Sequence, residues 1–395
     1  MQKLALHGGR PVRQTPFPPW PVSGPREEEL LRQALFADQW GGYHEFVSQF
    51  EQLFARLHDA SFGIATANGS LALELALEAA GVGQGDEVIV PAHSFIATAM
   101  AVSRVGAVPV FVDIDRETFN LDASLVERAL APETKAIIVV HFGGLMADMD
   151  ELEALAGRRR LILIEDAAHA HGAEQHGRRA GGIGLGGAFS FQNSKPMTAG
   201  EGGILISSDA DFAARARSLA NCGRRPEGGW FEHFEKATNL RLTAFQAAVL
   251  LAQLDRLGDQ IRLRSNNRQA LEEGLDVPGL SWQRKPGQTA VHTHYLLPGW
   301  IDEDAFGAPR DVFVEALNAE GAPCRPFYPM PLYANPVYQK LPHRLTDCRV
   351  AEDASRRAFW LPQQVLLGTP EDTQDVVRAI VKIYEQYKPA TTRKQ

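Results

Sequence analysis

A chain of 395 residues is long enough to bury a large core and to divide into two domains. Its formal net charge of −8 argues against a general nucleic-acid binder, which would carry a basic face. No apolar run approaches the ~20 residues that cross a bilayer as a helix, so no membrane span is expected. The three cysteines, Cys222, Cys324 and Cys348, are far apart and odd in number, which suits reduced thiols better than a disulfide framework. The N-terminus lacks the apolar core of a signal peptide, and the expected setting is cytoplasmic.

Residues 1–25 are rich in Gly and Pro and read as an extended arm. Helical apolar spacing marks 26–36 and 45–58, the latter through Phe46, Phe50, Leu53 and Phe54. Between them Gln39-Trp40-Gly41-Gly42-Tyr43 is a turn with two aromatic residues. From Phe62 strand and helix alternate: strand 62–66, helix 70–80 closed by Gly81, strand 88–90, helix 96–104 closed by Gly106, and strand 108–113. Helix 121–130, strand 136–141, helix 148–156 closed by Gly157, and strand 161–164 follow. Near-continuous apolar strands in this alternation predict an α/β fold with a mostly parallel sheet covered by helices on both faces. Two more short strands, 187–191 and 202–207, precede helices 210–219 and 245–257; the glycine- and charge-rich 223–236 stretch between those helices reads as a mobile loop. From about 260 the pattern changes to a helix at 261–275, irregular and strand-like segments, and helices 310–320 and 372–387. The predicted division is an arm (1–25), a large domain (26–258) and a smaller α+β domain (259–395).

On such sheets ligands sit at the carboxyl ends of the strands. Gln192-Asn193-Ser194-Lys195-Pro196 lies between two strands, and a lysine desolvated there can yield a neutral, nucleophilic amine. Asn68-Gly69-Ser70 opens a helix whose free amides and dipole suit a phosphate, although a plain N-cap fits the same residues. Asp166, at the mouth of a buried strand, needs a partner for its carboxylate. A protonated ring nitrogen is one candidate; a metal held by Asp166, His169, His171 and His176 is the competing reading, set aside because His-x-His is short enough to arise by chance and no second cluster supports it, so no metal is expected. Phe95 follows a strand by way of Pro91-Ala92-His93-Ser94, where core packing is the ordinary use of phenylalanine. Asn239-Leu240-Arg241-Leu242 stands just before a helix, where asparagine commonly caps a turn. Gly182-Ile183-Gly184-Leu185-Gly186-Gly187 fits the dinucleotide fingerprint G-x-G-x-x-G, but it leads into a strand and opens no helix, so a nicotinamide reading is rejected.

Taken together, these segments resemble the DegT/DnrJ/EryC1/StrS sugar aminotransferases, from about Glu27 to about Tyr387. Within the family, 144–150, 166–173 and 189–203 are most similar to the inosose aminotransferases and the 3-amino-5-hydroxybenzoate synthases. The resemblance implies the type I, aspartate-aminotransferase-like fold of pyridoxal 5′-phosphate (PLP) enzymes. It makes Lys195 the Schiff-base lysine, pairs Asp166 with the cofactor's ring nitrogen, and puts His169 beside the ring hydroxyl. Gly69, Ser70 and Ser190 match the family's phosphate-binding residues, and Phe95 the aromatic that stacks on the ring. Asn239 matches an asparagine that reaches the cofactor phosphate of the neighbouring subunit, which implies a homodimer with shared active sites.

The expected function is a PLP-dependent transamination from glutamine or glutamate to a cyclic polyhydroxy ketone, in aminosugar, aminocyclitol or antibiotic-type biosynthesis. The acceptor is either a keto-cyclitol or a nucleotide-linked keto-sugar. His93, His141, His169 and the 223–236 loop are candidate partners for ring hydroxyls; Arg224, Arg225, Lys236 and Arg325 are candidates for a diphosphate. A dehydrating, aromatising synthase remains an alternative. The family's deoxysugar dehydratases carry histidine in place of Lys195, and a non-catalytic regulator would have lost Lys195 or Asp166.

Overall fold

The computed structural model describes residues 3–284 and 291–389. After α1 (Pro25–Leu35) and α2 (Glu45–Leu57), the α/β alternation runs through β1 (Phe62–Thr66), α3 (Gly69–Ala79), β2 (Glu87–Pro91), α4 (Ala97–Arg104) and β3 (Val108–Val112). It continues with α5 (Ala123–Ala129), β4 (Thr134–Val140), α6 (Met149–Arg159) and β5 (Ile162–Asp166). A hairpin of β6 (Glu174–Gln175) and β7 (Arg178–Arg179) leads to β8 (Gly186–Ser190), β9 (Gly203–Ser207), α7 (Ala210–Ala220) and α8 (Ala244–Glu273). Beyond them lie β10 (Leu280–Trp282), β11 (Leu296–Ile301), α9 (Glu303–Phe306), α10 (Arg310–Ala319), β12 (Arg325–Pro326) and β13 (Arg344–Leu345). The last elements are α11 (Arg349–Arg357), β14 (Ala358–Pro362) and α12 (Pro370–Tyr387). Helix starts are written locally: Asn68, Asp122, Asp148, Asp209 and Thr243 each accept a first-turn amide with their side chains.

The large sheet has the order β1-β9-β8-β5-β4-β2-β3-β13. Its neighbours pair in parallel except β9, which runs against both β1 and β8. The carboxyl ends of β1, β2, β4, β5 and β8 therefore share one edge. Alternate strand residues face opposite layers. Val88, Val90, Ile138 and Ile164 pack with α3, α4 and α7, whereas Ile89, Ile137 and Leu163 pack with α1, α2, α6 and α8. A second, antiparallel sheet, β10-β11-β14-β12, carries its own core of Leu271, Phe306, Phe313, Phe359 and Ile380. The N-terminal arm docks on this part: Leu4 is fully buried there, and Arg13 pairs with Asp375 at 3.0 Å. Among the described residues no helix is long and apolar enough to cross a membrane.

Two helix boundaries differ from expectation. The helices expected at 245–257 and 261–275 are one 30-residue helix, α8. It passes through Gly258, because packing against α1, α2 and α12 outweighs the ~1 kcal/mol helical penalty of a glycine. Likewise α6 does not stop at Gly157; it runs to Arg159 and is closed by Arg160 in the left-handed region, φ 57°.

Candidate active site

Ser190, Gly203 and Thr66 lie abreast at the ligand-facing edge, through the Ser190–Gly203 and Thr66–Gly203 pairings. The start of α3 is pressed against them. A Cβ on Gly69 would stand 2.7 Å from the Ser190 Cβ and 3.1 Å from the Phe189 carbonyl oxygen, so only glycine fits. Asn68 Oδ1 accepts the Leu71 amide at 2.9 Å. The Gly69 and Ser70 amides, in the first helical turn, have no acceptor within the helix. Together with the half-buried Ser190 hydroxyl they make an anion cradle at the positive end of α3.

Asp166 ends β5 and is 6% exposed. Thr98, in the first turn of α4, donates to Oδ2 at 2.7 Å and itself contacts the Ser94 hydroxyl at 2.9 Å; the Ala168 amide makes a long bond to Oδ1 at 3.3 Å. Burial pushes the Asp166 pKa up, against the pull of these donors and of the nearby Lys195 charge. A cation brought to this carboxylate would favour its ionised form. His169 accepts the Gly143 amide at Nδ1, 3.3 Å, so the neutral ring carries its proton on Nε2. Burial, with the Lys195 and His171 charges, holds its pKa well below the usual value and keeps it neutral.

Lys195 is half-buried, its amide donating to the Gln192 carbonyl at 2.9 Å. Its ammonium lies 4.7 Å from the centre of the Tyr295 ring. Tyr295 is one of several site residues that sequence reasoning missed. Its hydroxyl pairs with Ser194 Oγ at 2.7 Å, and its ring lies 4.6 Å from that of His169. Tyr328 stacks on His93, with its phenol pushed up by burial and by the Tyr295 and Asp166 charges. Thr98 and Gln363, whose amide donates to the Ser194 carbonyl at 2.8 Å, complete the set. None carries a local motif.

The other expected residues fall in several places. Phe95 is 54% exposed on the loop from β2 to α4, open to a ring laid over it rather than packed in the core. Asn239 is exposed and accepts the Arg241 amide at 3.0 Å, so it does cap a turn. His141 and His93 do not serve a pocket mouth. His141 is fully buried, with Nε2 2.9 Å from Glu165 and Nδ1 accepting the Ala147 amide. His93 is 1% exposed beside Ser355. The alternative metal set does not converge: His171 donates to the Ser190 carbonyl, and His176 faces Asp150 on the surface. Among the described residues no group of three or more His, Cys, Asp or Glu could hold a metal ion. The glycine run at 182–187 serves the chain itself: the Gly181, Ile183 and Gly184 amides donate to Glu165 at 2.7–2.8 Å. Burial alone would raise the Glu165 pKa, but His141 and these amides hold it below the ordinary value. Arg224 and Arg225 are engaged within their own loop, with the Trp230 carbonyl and with Glu235.

A phosphorylated pyridine aldehyde fits what is present: an anion cradle that a Cβ would fill, a buried carboxylate with no cation in contact among the described residues, a neutral Nε2 donor and a primary amine, along one sheet edge. The chain matches the model of the DegT/DnrJ/EryC1/StrS aminotransferase family over residues 22–381. It is 38% identical to an L-glutamine:2-deoxy-scyllo-inosose aminotransferase of Micromonospora echinospora, covering 98% of this chain and 99% of that one. It is 39% identical to an enzyme of the same name from Streptomyces lividus, covering 97% of each. Among solved structures it resembles 3-amino-5-hydroxybenzoic acid synthase (TM-score 0.89, 35% identity, 95% of this chain and 100% of that one). It also resembles DesI, solved in the presence of its TDP-sugar product (TM-score 0.87, 32% identity, 97% of each). The chain belongs to the DegT/DnrJ/EryC1/StrS aminotransferase family and is a PLP-dependent transaminase.

Proposed function

We propose that this enzyme moves an amino group from glutamine to the ketone of a cyclitol of the 2-deoxy-scyllo-inosose type. The observation that carries the chemistry is Lys195 over the Tyr295 ring, with its charge felt by both Asp166 and His169. The substrate class is supported by full-length likeness to glutamine-dependent inosose aminotransferases. In this reading Lys195 would hold the cofactor through its Nζ amine and, when free, would take and return the proton at the substrate carbon. Asp166 would keep the ring nitrogen protonated, and His169 Nε2 would donate to the ring hydroxyl. Gly69, Ser70 and Ser190 would hold the phosphate, and Phe95 would cover the ring. When bound, PLP supplies an electron sink for the charge left on the substrate carbon.

The same reading includes a two-fold homodimer in which Asn239 serves the partner's site. Exposed Phe36, Trp40, Tyr43, Trp230 and Phe231 support a second copy as the occupant of this face. Two of them border Asn239: Tyr43 lies against Trp230 and donates to Asn221, which bridges to Asn239. We also infer the division into arm, large and small domains at 25 and 258, and a cytoplasmic setting that suits three free thiols.

Borohydride reduction and peptide mapping should find the pyridoxyl label on Lys195. The pyridoxamine-phosphate form, mixed with 2-deoxy-scyllo-inosose in a single turnover, should recover the aldehyde-form absorbance. A nucleotide-linked keto-hexose reacting faster would move the substrate class. The likeness to 3-amino-5-hydroxybenzoic acid synthase favours a second reading, dehydration with aromatisation, which an aromatic product chromophore would reveal.

A further inference from the structure

Arg264, about two-thirds of the way along α8, is fully buried, and among the described residues no carboxylate pairs with it. Its Nη2 has no hydrogen-bond partner among the described residues. Burial draws its pKa down to about 9, which leaves it charged at neutral pH. A buried guanidinium without a counter-charge is costly, and an apolar residue of similar volume commonly serves stability as well or better. Simple packing therefore gives no reason for it.

Its bonds do. Nε donates to the Thr293 carbonyl at 2.7 Å and Nη1 to Gln363 Oε1 at 3.1 Å. Each acceptor passes the contact on to the site. The Thr293 hydroxyl donates to the His169 carbonyl at 3.0 Å, and the Gln363 amide to the Ser194 carbonyl at 2.8 Å, one peptide before Lys195. Both intermediaries are locked: Thr293 is 0% and Gln363 1% exposed, and the Thr293 amide donates to the Gly144 carbonyl. We propose that Arg264 is a positioning residue for transamination, its planar fork fixing the His169 backbone and the Ser194–Lys195 peptide relative to one another through Thr293 and Gln363. His169 and Lys195 stand on separate loops, and no hydrogen bond joins them directly among the described residues. A rigid two-armed donor does what the point charge of a lysine would not.

The inference rests on the reading that Lys195 and His169 hold the cofactor, which the borohydride label on wild-type protein tests separately. The variants are Arg264→Met, Arg264→Lys, Gln363→Leu and Thr293→Val. The readouts are apo melting, the melting shift on adding PLP, the pH titration of bound-cofactor absorbance, and kcat against KM. Arg264→Met should leave apo melting within about 3 °C of wild type. It should weaken PLP about tenfold or more, move the absorbance midpoint, and lower kcat by about 10² with KM little changed. Arg264→Lys should behave likewise, and each outer-arm variant should reproduce part of the loss. Wild-type PLP affinity and titration in a folded Arg264→Met, or an equal loss of apo and loaded stability with unchanged kcat, would overturn the proposal. If Arg264→Met does not fold, wild-type behaviour of both Gln363→Leu and Thr293→Val overturns it.

Discussion

Replacing Gly69 by alanine tests the anion cradle most directly. The new Cβ would lie 2.7 Å from the Ser190 Cβ and 3.0 Å from its Cα. Carbon atoms pack at about 3.5–4.0 Å, so about 1 Å of movement is required. Ser190 yields little, because β8 is paired with β5 on one side and β9 on the other. The start of α3 must therefore retreat. Overpacking of this kind costs about 1–3 kcal/mol of folding stability. Two amides withdrawn about 1 Å from an anion keep only part of bonds of about 1.5–3 kcal/mol each, so PLP affinity should fall at least tenfold, with a 10²-fold loss in reach. Affinity for pyridoxal, which lacks the phosphate, should change much less. Equilibrium dialysis with both ligands, beside thermal melting, measures this. Gly157→Ala is the control: nothing lies within 4 Å of its added carbon on α6, so it should be neutral or stabilising by up to about 1 kcal/mol. Wild-type PLP affinity in Gly69→Ala would refute the cradle.

Three further outcomes are expected. Thr98→Val removes the donor to Asp166 Oδ2 and should raise an already elevated carboxyl pKa, weakening PLP about tenfold or more at neutral pH; Thr98→Ser should restore it, and a valine variant indistinguishable from wild type would discount the contact. Burial draws the His58 pKa down to about 4 and that of His93 to about 3, so both rings stay neutral in the folded protein while the unfolded chain takes up protons below about pH 6.5. Stability should thus be complete above that pH and fall between 6.5 and 4, by about 3 kcal/mol from His58 alone; an unchanged slope in urea titrations of His58→Gln would exonerate the ring. Finally, mixing inactive Lys195→Ala with inactive Asn239→Ala should recover activity in heterodimers that hold one intact site, and no recovery after verified subunit exchange would rule out a shared site.

Much of the fold was legible because its signals are local. Strand 62–66 coincides with β1, and Gly81 and Gly106 take the positive φ expected of residues that close α3 and α4. The lysine between two strands, the carboxylate at a strand mouth and the glycine opening a helix were legible for the same reason, and one edge of the sheet gathers them. Consecutive Glu165 and Asp166 had to face opposite sides of β5, since side chains alternate along a strand. What each one meets was a tertiary matter: Glu165 is spent on His141 and the 181–184 amides, whereas Asp166 meets the Thr98 hydroxyl and, among the described residues, no cation. Tyr295, Gln363 and Thr98 were invisible because each acts on a partner far along the chain, 101 residues for Tyr295–Ser194, 169 for Gln363–Ser194 and 68 for Thr98–Asp166. Periodicity reports which face of its own element a residue occupies. What that face meets is fixed only when the sheet order and the docking of α8 and β14 bring distant segments together, and that is where the support of Lys195 was decided.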